Sequence, residues 1–408
     1  MMRIGMVLGL GANHRGFPPD IRVEKESKSL SSAGHKVFIF TRKLPVTAPE
    51  NEYSKKLGAR IIRAEIIKRN MLMKIKDEYK MFKPAWIPAL EQFIIDYQPD
   101  ILHVHDLPMV PTALFVAKKY KLPVVADLHE NIPAAMLAHR SNYPFLKKMA
   151  CALIWNYNHM RKQEAEALHK CARVIVVVPE SIGRLEEYKI SREKIFLVSN
   201  TEDETTFLFQ PDTTDPQIIN KYNKLWVASY IGGIGPHRGL NTVLESIPHF
   251  GDTISNFKLL IVGANAKDKL LLEKKSKKIG IQQFVEVIGW QSFSKVNSYV
   301  MASNVCLVPH SNFEHTQTTV PHKLFQYMIC RKPVLVSDCR PLARIVNDAC
   351  AGRVFTSDDP RSFANEIIWM YKNPQKCIEY GNNGHNAALG KYSWKKDSRR
   401  LVGLYNHL

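Results

Sequence analysis

The sequence predicts an α/β protein of two Rossmann-like, doubly wound domains facing a central cleft. Three observations lead there. Short β-branched runs alternate with amphipathic stretches along nearly the whole chain, the pattern of a parallel sheet wrapped by helices. The alternation stops over residues 200–223, a polar stretch of Thr, Asp and Pro without periodicity, and then restarts. The 408 residues also suffice for two or more full cores, at roughly 100–200 residues per domain.

Taken in order, the first domain (1–200) reads as strands over 4–8, 36–41, 101–105, 124–128, 174–178 and 195–198. Each is a short apolar run, as expected of strands buried on both faces. Helices over 23–33, 89–97 and 112–119 lie between them. Residues 201–223 read as the linker. The second domain (224–390) repeats the scheme with strands over 226–231, 258–262, 284–288, 305–308, 333–337 and 352–355. Open α/β sheets bind ligands at the carboxyl ends of their strands, so each strand-to-loop junction is a candidate site, with the cleft between the domains the natural place.

Composition narrows the class. With 45% hydrophobic and 23% charged residues the chain is neither disordered nor fibrous. The formal net charge of +19 predicts polyanionic partners, and it is uneven: residues 1–200 hold 32 basic against 20 acidic residues. Seven cysteines, none in a C-x-x-C pair, argue against a disulfide framework or zinc ribbon and for reduced thiols in the cytoplasm. No apolar run reaches the ~18–20 residues of a membrane span, and the start of the chain lacks the pattern of a signal peptide. No internal repeat or low-complexity tract is present.

Two junctions in the second half carry chemistry. At Tyr230-Ile231-Gly232-Gly233-Ile234-Gly235-Pro236-His237-Arg238-Gly239 a strand ends, glycines let the backbone approach a ligand, and a helix opens near Gly239. Free N–H groups and Arg238 suit a phosphate there, although an ordinary βα turn is the competing reading. At Thr318-Thr319-Val320-Pro321-His322-Lys323 a helix begins, with Thr319 as the expected N-cap and Pro321 in the first turn. Lys323 opposes the helix dipole unless an anion lies nearby. A pyrophosphate between Arg238 and Lys323 explains both residues.

These motifs, together with Lys332-Pro333-Val334-Leu335-Val336-Ser337-Asp338 and Val287-Ile288-Gly289-Trp290, resemble family 4 glycosyltransferases. The first half agrees: Phe17-Pro18-Pro19-Asp20-Ile21-Arg22, Ala33-Gly34-His35-Lys36-Val37, His103-Val104-His105-Asp106 and Asp127-Leu128-His129-Glu130 are similar to that family's acceptor-side junctions. The resemblance implies the GT-B fold and a retaining, metal-independent transfer from a nucleotide sugar, UDP- or GDP-linked, to a glycan or lipid-linked glycan. It implies no cofactor beyond that co-substrate, and a helix over 391–408, starting at Tyr392-Ser393-Trp394, that crosses back to the first domain. Arg238 and Lys323 would neutralise the donor pyrophosphate. Gly232, Gly233, Gly263, Gly289, Trp290, Glu314, Thr318, Thr319, His322, Leu324 and Gln326 would complete the donor side. Gly16, Asp20, Arg22, His105 and Glu130 would line the acceptor side.

The chain departs from the family at three points. Gly233 stands where many members carry arginine. The family's two glutamates, separated by seven residues, fall at Thr318 and Gln326. Arg22-Val23 replaces the glycine pair of the first loop. Gln326 is expected to bond ribose hydroxyls, and Glu314 is the alternative carboxylate for the sugar.

His129, just past the strand 124–128, is expected at the reacting centre, where an imidazole can accept or donate a proton. Asp106 is expected to orient the acceptor or act as base. Of His103 and His105, only His105 is expected near the site. A His/Asp metal cluster is the weaker competing idea, and the site is read as metal-free. Two basic stretches, 55–83 and an apolar helix over 145–162, suit an anionic membrane surface. Nucleic acid does not fit, for want of a recognised binding module. Two further readings keep the fold: a nucleotide-sugar epimerase and a non-catalytic partner subunit. The sequence leaves the oligomeric state open.

Overall fold

A computed structural model of the chain describes residues 1–9, 16–44, 48–141, 143–207 and 214–406. It divides into two units, Met1–Asn200 with Lys395–Leu408, and Thr201–Trp394.

The first unit holds eight strands: β1 (Arg3–Leu8), β2 (Lys36–Arg42), β3 (Asn51–Ser54), β4 (Ala59–Ala64), β5 (Ile101–His105), β6 (Val124–Leu128), β7 (Arg173–Val176) and β8 (Ile195–Leu197). Their order is β3-β4-β2-β1-β5-β6-β7-β8. Pairing is parallel throughout except between β3 and β4. Helices pack on this sheet over a core that includes Phe40, Leu90, Phe93, Val104, Ala126 and Leu168. The edge pair β3–β4 was not predicted. Its polar residues Glu52, Arg60 and Arg63 mask the apolar alternation, as edge strands commonly do.

Register explains how a site forms here. In β5, His103 and His105 lie two residues apart and so share a face. His105 pairs in register with Asp127 of β6, which places their side chains on that same face. Arg22 and Glu26, four residues apart on the helix Ile21–Ser32, meet them from above.

The second unit holds β9 (Trp226–Ile231), β10 (Phe257–Ala264), β11 (Val285–Gly289), β12 (Val305–Val308), β13 (Val334–Ser337) and β14 (Gly352–Phe355). Its sheet runs β11-β10-β9-β12-β13-β14, all parallel. Tyr230, Phe250, Phe257, Leu259, Ile261 and Leu307 fill one core.

The polar stretch 200–223 carries short helices at Glu204–Phe207 and Pro216–Tyr222, the second capped by Asp215. One expectation is corrected. The apolar stretch 145–162 is two helices, Phe145–Ile154 and Tyr157–Lys170. The break comes at Asn156, whose side chain accepts from the His159 amide (3.0 Å) and so starts the second helix. All seven cysteines are free thiols. Among the described residues no helix is long and apolar enough to cross a membrane.

Candidate active site

In the second unit, β9 ends at Ile231 and Gly232 follows at a φ of 131°. A Cβ at this position would lie 2.7 Å from Lys323 Nζ, so the missing side chain is what admits the ammonium group. The chain then makes the tight turn Pro236–Arg238 and enters the helix Leu240–Ser246 through Gly239, at a φ of 67°. A Cβ on Gly239 would fall 1.6 Å from the Pro309 carbonyl oxygen. Only glycine lets this turn pack so closely against the segment leaving β12.

The helix His322–Ile329 begins at an N-cap of Pro321, with no side-chain cap. Thr319 is therefore not the N-cap that was predicted. Val320 precedes a proline and is biased out of the helical region, so the helix cannot start earlier. Thr318 donates its hydroxyl to the backbone oxygens of Glu314 (3.0 Å) and His315 (3.2 Å), closing the turn before it. Tyr327 locks the helix to β9, its hydroxyl accepting from the Ile231 amide (3.0 Å).

That lock fixes Lys323 within electrostatic reach of Arg238. Lys323 Nζ lies 3.7 Å from the centroid of the Tyr230 ring and is shielded from solvent, with no hydrogen-bond partner among the described residues. Burial first, and then the charge of Arg238, hold its pKa well below the usual lysine value. Arg238 is half-buried and donates from NH1 to His310 Nε2 (3.0 Å). Among the described residues neither cation pairs with a carboxylate. Two adjacent cations without counter-charge form a ready site for a multiply charged anion.

The other predicted donor residues fall unevenly. The Gly233 carbonyl accepts from the Tyr230 hydroxyl (2.6 Å), Gly263 sits in β10 at a φ of 108°, and Gly289 ends β11. Trp290 follows β11 with 68% of its surface exposed, and Glu314 is exposed. His322 opens its helix, half-buried. The Leu324 side chain is fully buried. Gln326 donates its amide to the buried carboxylate of Glu202 (2.8 Å), so its Nε2 already has a protein partner.

The first unit gathers a second constellation at the ends of β5 and β6. Arg22 binds Asp127 in a bidentate fashion (Nε to Oδ2 2.9 Å, NH2 to Oδ1 2.7 Å) and lies 3.0 Å from Glu26. It also donates to the Val198 carbonyl (3.1 Å) and the Asn200 side chain (3.0 Å). The expectation of an acceptor-binding Arg22 is thus corrected, because its donors are spent inside the unit. Asp20 caps the helix Ile21–Ser32, accepting from the amides of Arg22 and Val23, and Gly16 packs tightly on the Leu44 backbone. His103 is corrected in the other direction. It belongs to the cluster, with Nε2 3.3 Å from Glu26 and 3.5 Å from Asp127, and Nδ1 on the Tyr405 hydroxyl.

His129 Nε2 lies 2.9 Å from Asp127 Oδ2 and 3.0 Å from His105 Nδ1, and its Nδ1 is 3.6 Å from Asp106 Oδ2. Burial pulls its pKa down, but Asp106 and Asp127 outweigh that and lift it to about 10. His129 is accordingly an imidazolium, a hydrogen-bond donor rather than a base. Burial drives His105 down to about 3, so that ring stays neutral. Asp106 adopts a φ of 61°, strained for a non-glycine residue, and burial raises its pKa to about 6 against the pull of His129. Glu130 follows, half-buried. Glu26, His103, His105 and Asp127 offer four ligand atoms within 4.8 Å of one another, the arrangement a metal could use. Arg22 pairs with both Asp127 and Glu26, and His129 with Asp127, so both carboxylates of the cluster already have cationic partners.

With this geometry in place, residues 211–387 match the family described as Glycosyl transferases group 1, and residues 21–204 match Glycosyltransferase Family 4. The chain belongs to glycosyltransferase family 4. This family 4 enzyme is 21% identical over 408 residues to the phosphatidyl-myo-inositol mannosyltransferase of Mycolicibacterium smegmatis, covering 99% of this chain and 93% of that one. Sucrose-phosphate synthase from Thermosynechococcus elongatus shares its fold at a TM-score of 0.81 and 17% identity, covering 100% and 99% of the two chains. Anabaena HepE in complex with UDP matches at 0.71 and 11% identity over 100% of both. These similarities place the glycosyltransferase in the GT-B fold.

Sequence reasoning missed Tyr230 and His310, which hold Lys323 and Arg238, and Glu26 and Tyr405 in the buried cluster. For Tyr230 the signal was available: an aromatic residue two positions before the first glycine of the turn. Glu26 was signalled by its i,i+4 spacing from Arg22.

Proposed function

We propose that this glycosyltransferase moves a sugar from a UDP- or GDP-linked donor, held by the second unit, to a hydroxyl of a glycan or lipid-linked glycan engaged by the first. The anomeric configuration is retained. The observation that carries the reading is the Arg238–Lys323 pair, two cations that meet no carboxylate among the described residues, where the shielded Lys323 Nζ also has no hydrogen-bond partner. When the glycosidic bond breaks through an oxocarbenium-like state, the charge left on the diphosphate is met by groups already in place. Those cations supply what a divalent ion would otherwise bring. In the first unit His129, held protonated by Asp106 and Asp127, donates a hydrogen bond at the reacting sugar, and Asp106 orients it.

Two similarities support the choice of ligands: the structure of Anabaena HepE contains UDP, and the mycobacterial relatives act on phosphatidyl-myo-inositol by name. An anionic membrane surface is the proposed setting. Helices Met71–Tyr79 and Phe145–Ile154 pack together and leave Met71, Leu72, Phe145, Leu146, Met149 and Leu153 between 56% and 80% exposed. Lys74, Lys76, Lys147 and Lys148 stand exposed on the same two helices. Apolar anchors among cations fit anionic lipid, where each Lys contributes about 1 kcal/mol.

The test is a thermal-shift panel of UDP, GDP, ADP and their sugars, followed by transfer assays on the donor that stabilises. Failure of every diphosphate to raise Tm refutes the donor reading. Release of free epimerised nucleotide sugar without any acceptor would assign an epimerase instead.

A further inference from the structure

We propose that His310 is a positioning residue: its Nε2 lone pair is the fixed acceptor that aims the Arg238 guanidinium at the donor diphosphate. The inference rests on the donor reading above. Arg238 NH1 donates to His310 Nε2 at 3.0 Å. A guanidinium only donates, so Nε2 must carry the lone pair and the ring hydrogen must sit on Nδ1, which leaves the imidazole neutral. Burial first, and then the groups facing the ring, favour that state: Arg238 and His237 from the turn after β9, Lys323 from the helix His322–Ile329, and His315 from the loop after β12. A proton on His310 would break the bond and add a third positive charge to the pocket.

His310 is itself held. It is 1% exposed, its carbonyl accepts from Cys339 Sγ (3.6 Å), and the next amide, Ser311, donates to the His237 carbonyl (3.1 Å). Its ring stands edge-on to His237 at 6.2 Å. The buried Nδ1 has no hydrogen-bond partner among the described residues, a penalty that a merely space-filling side chain would avoid. What the ring provides in exchange is the single bond to Arg238. A cation presented by a rigid acceptor loses less freedom when it captures its anion.

The test compares His310→Ala and His310→Gln, each with and without Arg238→Ala, by titration calorimetry with UDP and GDP. The glutamine carbonyl can take the place of Nε2. His310→Ala should weaken diphosphate binding about 10-fold. His310→Gln should stay within about 3-fold of the wild type, and His310→Ala should add almost nothing to Arg238→Ala. Full additivity of the two alanine variants would overturn the inference. So would a His310→Gln variant that keeps the native Tm yet binds as weakly as alanine. Should His310→Ala fail to fold, the glutamine arm decides alone: a His310→Gln variant with the native Tm that binds diphosphate about 10-fold more weakly than the wild type overturns the inference. A wild type that binds neither diphosphate would instead refute the donor reading itself.

Discussion

Replacing Lys323 with methionine should make the empty protein more stable and the donor-binding protein useless. The buried ammonium has no hydrogen-bond partner among the described residues and lies within electrostatic reach of Arg238, and the Tyr230 ring at 3.7 Å offsets part of that cost. An unsatisfied buried charged group costs at least ~1–3 kcal/mol. A desolvated cation–π contact returns up to ~2 kcal/mol. The net burden is about 1 kcal/mol, so Lys323→Met, of similar length and without charge, should raise Tm by about 2–4 °C. Against this, a diphosphate at a hundred times its dissociation constant stabilises the wild type by ~2.7 kcal/mol. Loss of one preorganised charge contact should cost ~100-fold or more in turnover and should erase most of that ligand-induced shift. Differential scanning with and without UDP or GDP reads both effects. A lysine with a purely structural role would give the opposite pair, a lower Tm with the ligand shift intact. That outcome would refute the reasoning.

Four further expectations follow from the same geometry. Diphosphate supplies the counter-charge that Lys323 lacks, so its lowered pKa should rise on binding, and diphosphate affinity should fall as pH rises through the lowered pKa of the empty protein; an affinity that does not change with pH would disprove this. His129 has its pKa raised to about 10, so the stability it contributes is complete below about pH 6.5 and is lost as pH rises through about 10. Between pH 7 and 10 the fall in Tm should therefore be flatter in His129→Gln than in the wild type. Asp127→Asn removes a buried partner of both Arg22 and His129 and should cost ~3–5 kcal/mol in urea unfolding; a loss under about 1 kcal/mol would show that the cluster is not held by charge. Sedimentation with phosphatidylglycerol vesicles should be strong for the wild type, weakened by salt, and lost in a Leu146→Asp/Leu153→Asp variant, whereas phosphatidylcholine vesicles should capture neither.

How much of this was legible in the sequence depends on which physical rule governed each residue. The central strands read directly, because β5, β6, β9 and β12 are apolar runs buried on both faces. Strands β3 and β4 did not, since the charged residues Glu52, Arg60 and Arg63 interrupt the apolar period. Lys323 was legible as an electrostatic anomaly in a helix's first turn, and so was its need for an anion. Thr319 misled because its type suits an N-cap, while Val320 ahead of Pro321 forbids the helix from starting there. Arg22 misled for a different reason. Its chemistry is that of a ligand-binding residue, and only the register of β5 against β6 shows that Asp127 reaches it first. His103 was set aside for the converse reason: strand alternation put it on the face of His105, but nothing local announced Glu26 opposite.

The cations of the two candidate sites are met in contrasting ways, and that contrast locates the chemistry better than the net charge of +19 does. In the first unit Arg22 and His129 are each met by carboxylates, Asp127 and Glu26 for one, Asp127 and Asp106 for the other. Arg184 is met likewise by Glu164. In the second unit Arg238 is met by a neutral imidazole and Lys323 by an aromatic face. A fold able to place carboxylates beside buried cations in one unit has withheld them in the other. Stability alone would favour filling the gap with Asp or Glu, since an unpaired buried charge is among the costlier features a core can hold. The omission is economical only if the missing negative charge arrives with the substrate, and a diphosphate brings it in the right amount: two or more negative charges spread over oxygens that can meet a guanidinium and an ammonium at once. Introducing Gly233→Glu beside this pair should therefore stabilise the empty protein and exclude the donor, because it would supply internally the charge the site is built to receive.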